Sequence, residues 1–188
     1  PKVRQLGRRI LPVVFGASLY QINQLIGTIL ASLLAEGAIS YLSYADRIAQ
    51  VPFGVIGVAV GTALLPMLSR KIKAGNGEAA LHTQNRGLEF ALLLTLPAAA
   101  ALIVIAGPII AVLFERGQFT AADTAATAAT LAAYASGLPA YVLVRVLAPG
   151  FFAREDTVTP VRIAAAAMAA NIVLNIVLMQ VWAYVGIA

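Results

Sequence analysis

Two charged residues, Asp46 and Arg47, lie inside an otherwise uncharged segment from Gly37 to Ser69. About 20 apolar residues in a helix cross a bilayer, so Arg47, about ten residues into the segment, is expected well below the membrane surface. An Arg at mid-helix costs about 2.5 to 3.5 kcal/mol on insertion and normally faces a cavity or an opposite charge. Asp46 is about 100° away around the helix and is a poor partner for Arg47, although it is itself a candidate ligand contact. Arg47 therefore binds an anionic ligand in a wet cavity, pairs with another helix, or snorkels to the surface.

Other polar side chains occur in runs that are apolar on the whole. In the first uncharged run, residues 10–35, they recur within about a third of the helix circumference, at Ser18, Gln21, Gln24, Thr28 and Ser32. This face either lines a cavity or hydrogen-bonds to neighbouring helices, and Gln21 and Gln24 are candidate ligand contacts. Arg145 either joins the ligand site or snorkels towards the surface near Arg154.

Pro52 predicts an irregularity in the helix that carries Arg47, because proline removes a backbone hydrogen bond and clashes with the preceding turn. We expect one long helix, 37–68, bent near Pro52. The bend is either an ordinary transmembrane kink or, with Gly54, a moving gate. Gly54, Gly57 and Gly61 share one face of a regular helix, which is typical of close helix packing.

Few residues could hold a metal or act as a nucleophile. The chain has no Cys and one His, His82, which is expected in a solvated loop. Asn171 and Asn175 are four apart on one helix face and form a weak candidate cation site, although interhelical hydrogen bonding is the commoner use of such a pair. No phosphate-binding or dinucleotide motif occurs in the sequence. We expect neither a cofactor nor an enzyme.

The elements that position these residues are expected to be membrane-spanning helices. Hydrophobic residues make up 61% and charged residues 11% of the 188 residues, and mean hydropathy is +0.88; soluble domains are about a quarter charged. Five spans are predicted, at about 10–35, 38–68, 88–114, 124–152 and 161–183. Because the runs are rich in Ala and Leu and lack strand alternation, the predicted fold class is an all-α polytopic bundle.

The basic residues predict the orientation of the spans. Apart from Arg47 and Arg145, which lie well inside spans, eleven basic residues lie at or beyond span ends. Ten of these fall on one side: Lys2, Arg4, Arg8, Arg9, Arg70, Lys71, Lys73, Arg86, Arg154 and Arg162. Only Arg116 falls on the other side, so the positive-inside rule predicts a cytoplasmic N-terminus. The same rule accounts for the net charge of +5, and nucleic acid is not an expected partner.

Several segments carry a resemblance to a known family. The quoted stretches are Tyr44-Ala45-Asp46-Arg47, Gly57-Val58-Ala59-Val60-Gly61-Thr62, Phe114-Glu115-Arg116-Gly117-Gln118-Phe119-Thr120 and Val146 to Pro160. Together they extend over nearly the whole chain, in order, and the chain resembles the MurJ/MviN family of lipid II flippases.

The resemblance implies the fold of the multidrug/oligosaccharidyl-lipid/polysaccharide exporter superfamily, in which two six-helix bundles enclose a cavity. This chain would supply most of the second bundle, with the rest of the same polypeptide as its partner. The implied substrate is lipid II, undecaprenyl-pyrophosphate-linked disaccharide pentapeptide, moved across the bacterial cytoplasmic membrane, and Arg47 would line the cavity. Members with a sodium site carry one acidic residue near the position of Gly27 and another at the position of Asn175. This chain has Gly and Asn at these positions, so the resemblance does not imply a sodium site.

Two other functions fit parts of the sequence. A multidrug or polysaccharide-lipid exporter of the same superfamily would share the bundle, but the segment ending in Thr159-Pro160 favours the flippase. A membrane scaffold without transport would explain the hydrophobicity and leave Arg47 without a role. Because the chain begins at Pro1 and ends in an apolar run, we expect it to be part of a longer protein.

Overall fold

The computed structural model describes residues 21–34 and 37–187. The first described helix, α1, occupies residues 21–32, and the remaining helices are α2 (Ala38–Pro52), a π-helical segment (Phe53–Val58), α3 (Ala59–Lys73), α4 (Gly77–Val104), α5 (Ala106–Phe114), α6 (Ala121–Phe152), α7 (Val158–Trp182) and a final 3₁₀ turn (Ala183–Gly186). No strand occurs in these ranges, and the predicted all-α class is confirmed. Ser18 and the basic residues before it lie outside the described ranges.

Four stretches of the described ranges are long and apolar enough to span a membrane: Ala38–Lys73, Gly77–Val104, Ala121–Phe152 and Val158–Gly186. The predicted first span lies partly outside the described residues. The helix boundaries do not locate the membrane surfaces, so the five span boundaries stay predictions.

The helix that carries Arg47 continues without a break through Pro52, as predicted, for 36 residues. The helix departs from regular α-helical geometry in the π-helical segment, which begins at the residue after Pro52. The bend expected near Pro52 stays a prediction. Proline cannot donate to the carbonyl of Ile48, four residues earlier, and widening the following turn is one way to accommodate the lost bond. Such π-helical turns are frequent at functional sites.

The next span is divided into α4 and α5 at Ile105. Pro108 lacks the N–H that would bond to the Val104 carbonyl, so α4 ends at Val104. At its start, the Asn76 side chain caps α4 by accepting a hydrogen bond from the Ala79 N–H at 3.0 Å. The helix begins at this cap, eleven residues before the predicted span, and its first three turns include polar residues that the predicted span left out. One of them is His82, which is exposed on the helix, so the expectation of a loop residue is wrong.

Helix α6 lies at the centre of the described bundle and contacts α2, α3, α4 and α5. It begins with a capping box, in which Thr120 and Asp123 satisfy each other's backbone N–H. Its buried positions include Leu131, Ala135 and Val142. Small residues such as Ala135 let helices approach closely where no water is available to drive association.

Helix α7 is peripheral, and Asn175 is its one buried residue. A short loop precedes it, and the Asp156 carboxylate accepts hydrogen bonds from the backbone N–H groups of Val158 at 3.1 Å and Thr159 at 3.0 Å. Hydrogen bonds from the Thr159 hydroxyl and from the Thr159 backbone N–H lower the pKa of Asp156 below its usual range. The carboxylate therefore stays charged and able to hold the start of α7 at neutral pH.

The ends of the spanning helices form two groups, one at each end of the bundle. Tyr44 contacts Phe119 of the α5–α6 loop, and Tyr41 contacts Tyr184 after α7. The start of α2, the α5–α6 loop and the end of α7 therefore share one end of the bundle. The α3–α4 and α6–α7 loops lie at the other end, as antiparallel spans require. Most of the described basic residues lie in these loops or on the helical segments that flank them: Arg70, Lys71, Lys73, Arg86, Arg154 and Arg162. We call the two loops with these flanking residues the basic loops.

Candidate functional site

Arg47 lies on an exposed face of α2. Among the described residues it has no hydrogen bond or ion pair. The neighbouring Asp46 is half-buried and instead accepts a hydrogen bond from the Gln50 side chain, one turn along the helix. The separation of Asp46 and Arg47 around the helix therefore has the predicted effect: the carboxylate does not neutralise the guanidinium.

The exposed face around Arg47 is polar over nearly three turns. Ser40, Ser43, Arg47 and Gln50 are all exposed and follow the spacing of one helix face. We call these four residues the α2 polar stripe. Gly54 continues it, with open space around its Cα. Apolar residues typical of a lipid-facing surface lie beside it, with Val51 62% and Val55 68% exposed.

Three members of the α2 polar stripe, Ser40, Ser43 and Gln50, were missed by sequence reasoning. Their helical spacing from Arg47 is a signal that could have found them, because all four residues fall on one face of a regular helix. A polar stripe of this length would be costly against lipid. That this face lines a water-filled space stays a prediction.

Gln21 and Gln24 are both exposed on α1, together with Thr28 and Ser32. The hydroxyls of Thr28 and Ser32 donate to carbonyls of their own helix, at 2.9 and 2.7 Å. The predicted polar arc is therefore formed in the described part of this span. Its use as a cavity wall stays a prediction.

Arg145 does not extend freely towards the α6–α7 loop. Its guanidinium carbon lies 5.3 Å from the centre of the Phe53 ring, and Phe53 in turn contacts Tyr141 edge-on at 6.0 Å. A cation over an aromatic face is stabilised by about 0.5 to 2 kcal/mol. The side chain is nevertheless exposed overall, so its charge is available at the level of the π-helical segment.

Gly57 and Gly61 bring the π-helical segment and α3 against Arg145. A Cβ at Gly57 would lie 3.6 Å from Arg145 Cγ, and one at Gly61 would lie 3.1 Å from the Arg145 carbonyl oxygen. Pro149 cannot donate to that carbonyl, which explains why it is free to face another helix. Close packing is therefore confirmed for these two glycines.

The expectation that Gly54 shares this packing face is wrong, since nothing lies within 4 Å of a Cβ placed there. The π-helical turn changes the rotation per residue, so the regular helical wheel used for the prediction does not hold across it. Pro52 and Gly54 thus mark the start of an irregular turn, and their role as a gate stays a prediction.

Asn171 and Asn175 contact each other. The Asn175 amide donates to the Asn171 carbonyl oxygen at 3.1 Å, and Asn175 is 7% exposed. Asn175 therefore presents its amide N–H to Asn171, and its carbonyl oxygen does not join that of Asn171 as a second ligand. The described residues contain no group of three or more His, Cys, Asp or Glu side chains that could hold a metal. The geometry favours hydrogen bonding over cation coordination.

A polytopic helical bundle with an arginine on a polar helix face, unpaired within the described part of the chain, is typical of a membrane transporter. An outward-facing multidrug resistance MATE family transporter of the MOP superfamily shares the fold, with a TM-score of 0.82 at 15% identity over 94% of this chain and 39% of that chain. Closer still is a structure of lipid II flippase MurJ in an inward closed conformation, with a TM-score of 0.86 at 30% identity over 98% of this chain and 39% of that one.

The family model for lipid II flippase MurJ matches residues 1–188, and the chain belongs to that family. A probable lipid II flippase MurJ of Rhizobium meliloti is 50% identical over 188 residues, which are 100% of this chain and 35% of that protein. The chain thus spans about a third of the length of the curated relatives it matches. It is part of a multi-pass membrane protein.

Proposed function

We propose that the full-length protein flips lipid II across the bacterial cytoplasmic membrane by alternating access, as a transporter and not an enzyme. Membership of the MurJ family supports the substrate. The observation that carries the proposal is Arg47, exposed on the α2 polar stripe and without a hydrogen bond or ion pair among the described residues. A scaffold without transport has no use for such a residue.

Arg47 binds the pyrophosphate of the substrate. Its planar guanidinium can donate two parallel hydrogen bonds to phosphate oxygens, which a Lys ammonium cannot do in a fixed geometry. The insertion cost of the charge is offset when water fills the cavity and a doubly charged ligand occupies it. Ser43 and Gln50 provide neutral hydrogen-bonding groups within one turn of Arg47, and Asp46 holds the Gln50 side chain in place.

Arg145 provides a second positive charge on the same path. It packs at the level of Gly57 and Gly61, ten to fourteen residues after Arg47 in the continuous helix, or about 15 to 21 Å along the helix axis. A pyrophosphate that leaves one arginine thus meets another before it has crossed the hydrocarbon core. Gln21 and Gln24 on α1 add hydrogen-bonding groups to the cavity wall.

The proposed orientation places the N-terminus and the α3–α4 and α6–α7 loops in the cytoplasm. We expect Asn76→Cys in the α3–α4 loop to react with a membrane-impermeant thiol reagent only from the cytoplasmic side. Gln118→Cys, in the α5–α6 loop, is the matched control and should react only from the outside. This stretch contains no native Cys, so cysteines elsewhere in the full-length protein are the ones to replace first. Reaction of the Cys at position 76 from the outside would show that the topology is the reverse of the proposed one.

The function is tested by reconstituting the full-length protein in liposomes with fluorescent lipid II and measuring how fast the head group becomes accessible from the opposite leaflet. We expect protein-dependent flipping of lipid II and none of an organic cation offered in parallel. A multidrug exporter of the same fold gives the reverse result, which would overturn the proposal.

A further inference from the structure

A cavity of about 670 Å³ opens at the end of the bundle that is opposite to the basic loops. It is formed where the first two turns of α2 meet the α5–α6 loop and the start of α6. Its volume lies in the range of small-molecule binding sites, about 300 to 1,000 Å³. Ser43, Arg47 and Gln50, which are proposed to contact the pyrophosphate, do not line this cavity.

One part of the cavity lining is aromatic. Tyr44 packs against Phe114 with ring centres 4.7 Å apart and against Phe119 at 5.7 Å, and Tyr41 lines the cavity beside them. All four residues are half-buried. Contact among the rings limits their rotation, so they form a fixed apolar wall.

The rest of the lining includes polar side chains, some of which donate hydrogen bonds and some of which accept them. Asp123 is held in place by the Tyr41 hydroxyl, which donates to its carboxylate at 2.6 Å. Among the described residues the exposed Gln118 amide has no hydrogen-bond partner, so its donor and acceptor are free for a ligand. Arg116 also lines the cavity, and its guanidinium donates to the Leu113 carbonyl.

These groups match the surface of a sugar ring better than that of an anion or a lipid. A pyranose has apolar C–H faces that pack on aromatic rings and hydroxyls at its rim that donate and accept hydrogen bonds. The Asp123 carboxylate opposes the charge of Arg116 and disfavours a free anion. The polar groups make the cavity a poor site for an acyl chain.

The cavity adjoins the proposed pyrophosphate site. Ser40 lines it and also belongs to the α2 polar stripe, seven residues before Arg47, or about 10 Å along the axis. A sugar attached directly to a pyrophosphate at Arg47 is within this reach. On the basis of the proposed function, we propose that the cavity binds the sugar of the lipid-linked substrate.

The test compares two ligands of the full-length protein in nanodiscs: undecaprenyl pyrophosphate and the same carrier bearing its disaccharide pentapeptide. We expect Gln118→Ala and Tyr44→Leu each to weaken binding of the sugar-bearing ligand about three- to tenfold, the equivalent of one lost hydrogen bond or ring contact. Binding of the bare carrier should not change. Gln180→Ala is the matched control, because Gln180 is an exposed amide on α7 that does not line the cavity.

The outcome separates this proposal from the pyrophosphate site. Arg47→Ala should weaken the binding of both ligands alike. If it does not, the proposed pyrophosphate role of Arg47 is wrong, and the proposal of the sugar site is unaffected. Equal loss of both ligands in Gln118→Ala and Tyr44→Leu, or no loss in either variant, would overturn the sugar site. In the second case the aromatic residues serve only as an interfacial belt.

Discussion

Full-length protein carrying Arg47→Ala should flip lipid II at least about a hundredfold more slowly than the wild type. The guanidinium is proposed to donate two charge-assisted hydrogen bonds to the pyrophosphate, each worth about 1.5 to 3 kcal/mol, and about 1.4 kcal/mol corresponds to a tenfold change in rate. Arg47→Lys keeps the charge but loses the planar fork, so its flipping should also fall severely. The measurement is the initial rate of head-group exposure in proteoliposomes, with equal amounts of folded protein.

The matched control for Arg47 is Arg86→Ala. Arg86 is an exposed arginine towards the end of the bundle with the basic loops. It forms an ion pair with Glu89 at 3.3 Å, and both side chains of this pair are exposed. Such pairs contribute little, so flipping and stability should stay close to wild type.

A structural role for Arg47 predicts a different pattern. If it pairs with a buried carboxylate elsewhere in the protein, its removal leaves that charge uncompensated and lowers the free energy of unfolding by about 3 to 5 kcal/mol. Thermal unfolding of each variant is therefore measured beside transport. Normal flipping by Arg47→Ala, or a loss of flipping that follows the loss of folded protein, would contradict the binding role.

The second large effect is expected at Gly61. A Cβ there would lie 3.1 Å from the Arg145 backbone carbonyl, and a backbone atom cannot rotate away as a flexible side chain can. Gly61→Leu should force α3 and α6 apart and lower the free energy of unfolding by about 1 to 3 kcal/mol. Gly61→Ala needs a shift of only a few tenths of an ångström and should cost less. The measurement is the unfolding midpoint of the full-length protein in detergent.

Gly107→Leu is the control for Gly61→Leu, because it adds the same side chain to a helical glycine with nothing within 4 Å of the new Cβ. Its unfolding midpoint should stay close to that of the wild type. Equal midpoints for Gly61→Leu and Gly107→Leu would show that the α3–α6 contact is looser than the structure has it.

The sequence alone determined the class of fold and singled out Arg47 as the leading candidate for a site residue. A bilayer requires long apolar helices with every backbone group bonded internally, so runs such as 37–69 have one structural solution. A charge in an apolar run costs free energy wherever lipid surrounds it, so the position of Arg47 within such a run is enough to single it out before the fold is known. The cap at Thr120 and Asp123 is equally local and was predictable for that reason.

Only the tertiary structure decided how the helices meet. Whether Arg145 snorkels or stacks on Phe53 depends on the close approach of α6 to Gly57 and Gly61, which no local pattern encodes. The orientation of Gly54 changed because a π-helical turn alters the rotation on which a regular helical wheel relies. The cavity beside Tyr44 joins residues about 75 positions apart in the chain, since Tyr44 and Phe119 come together only when the ends of separate spans pack at one surface.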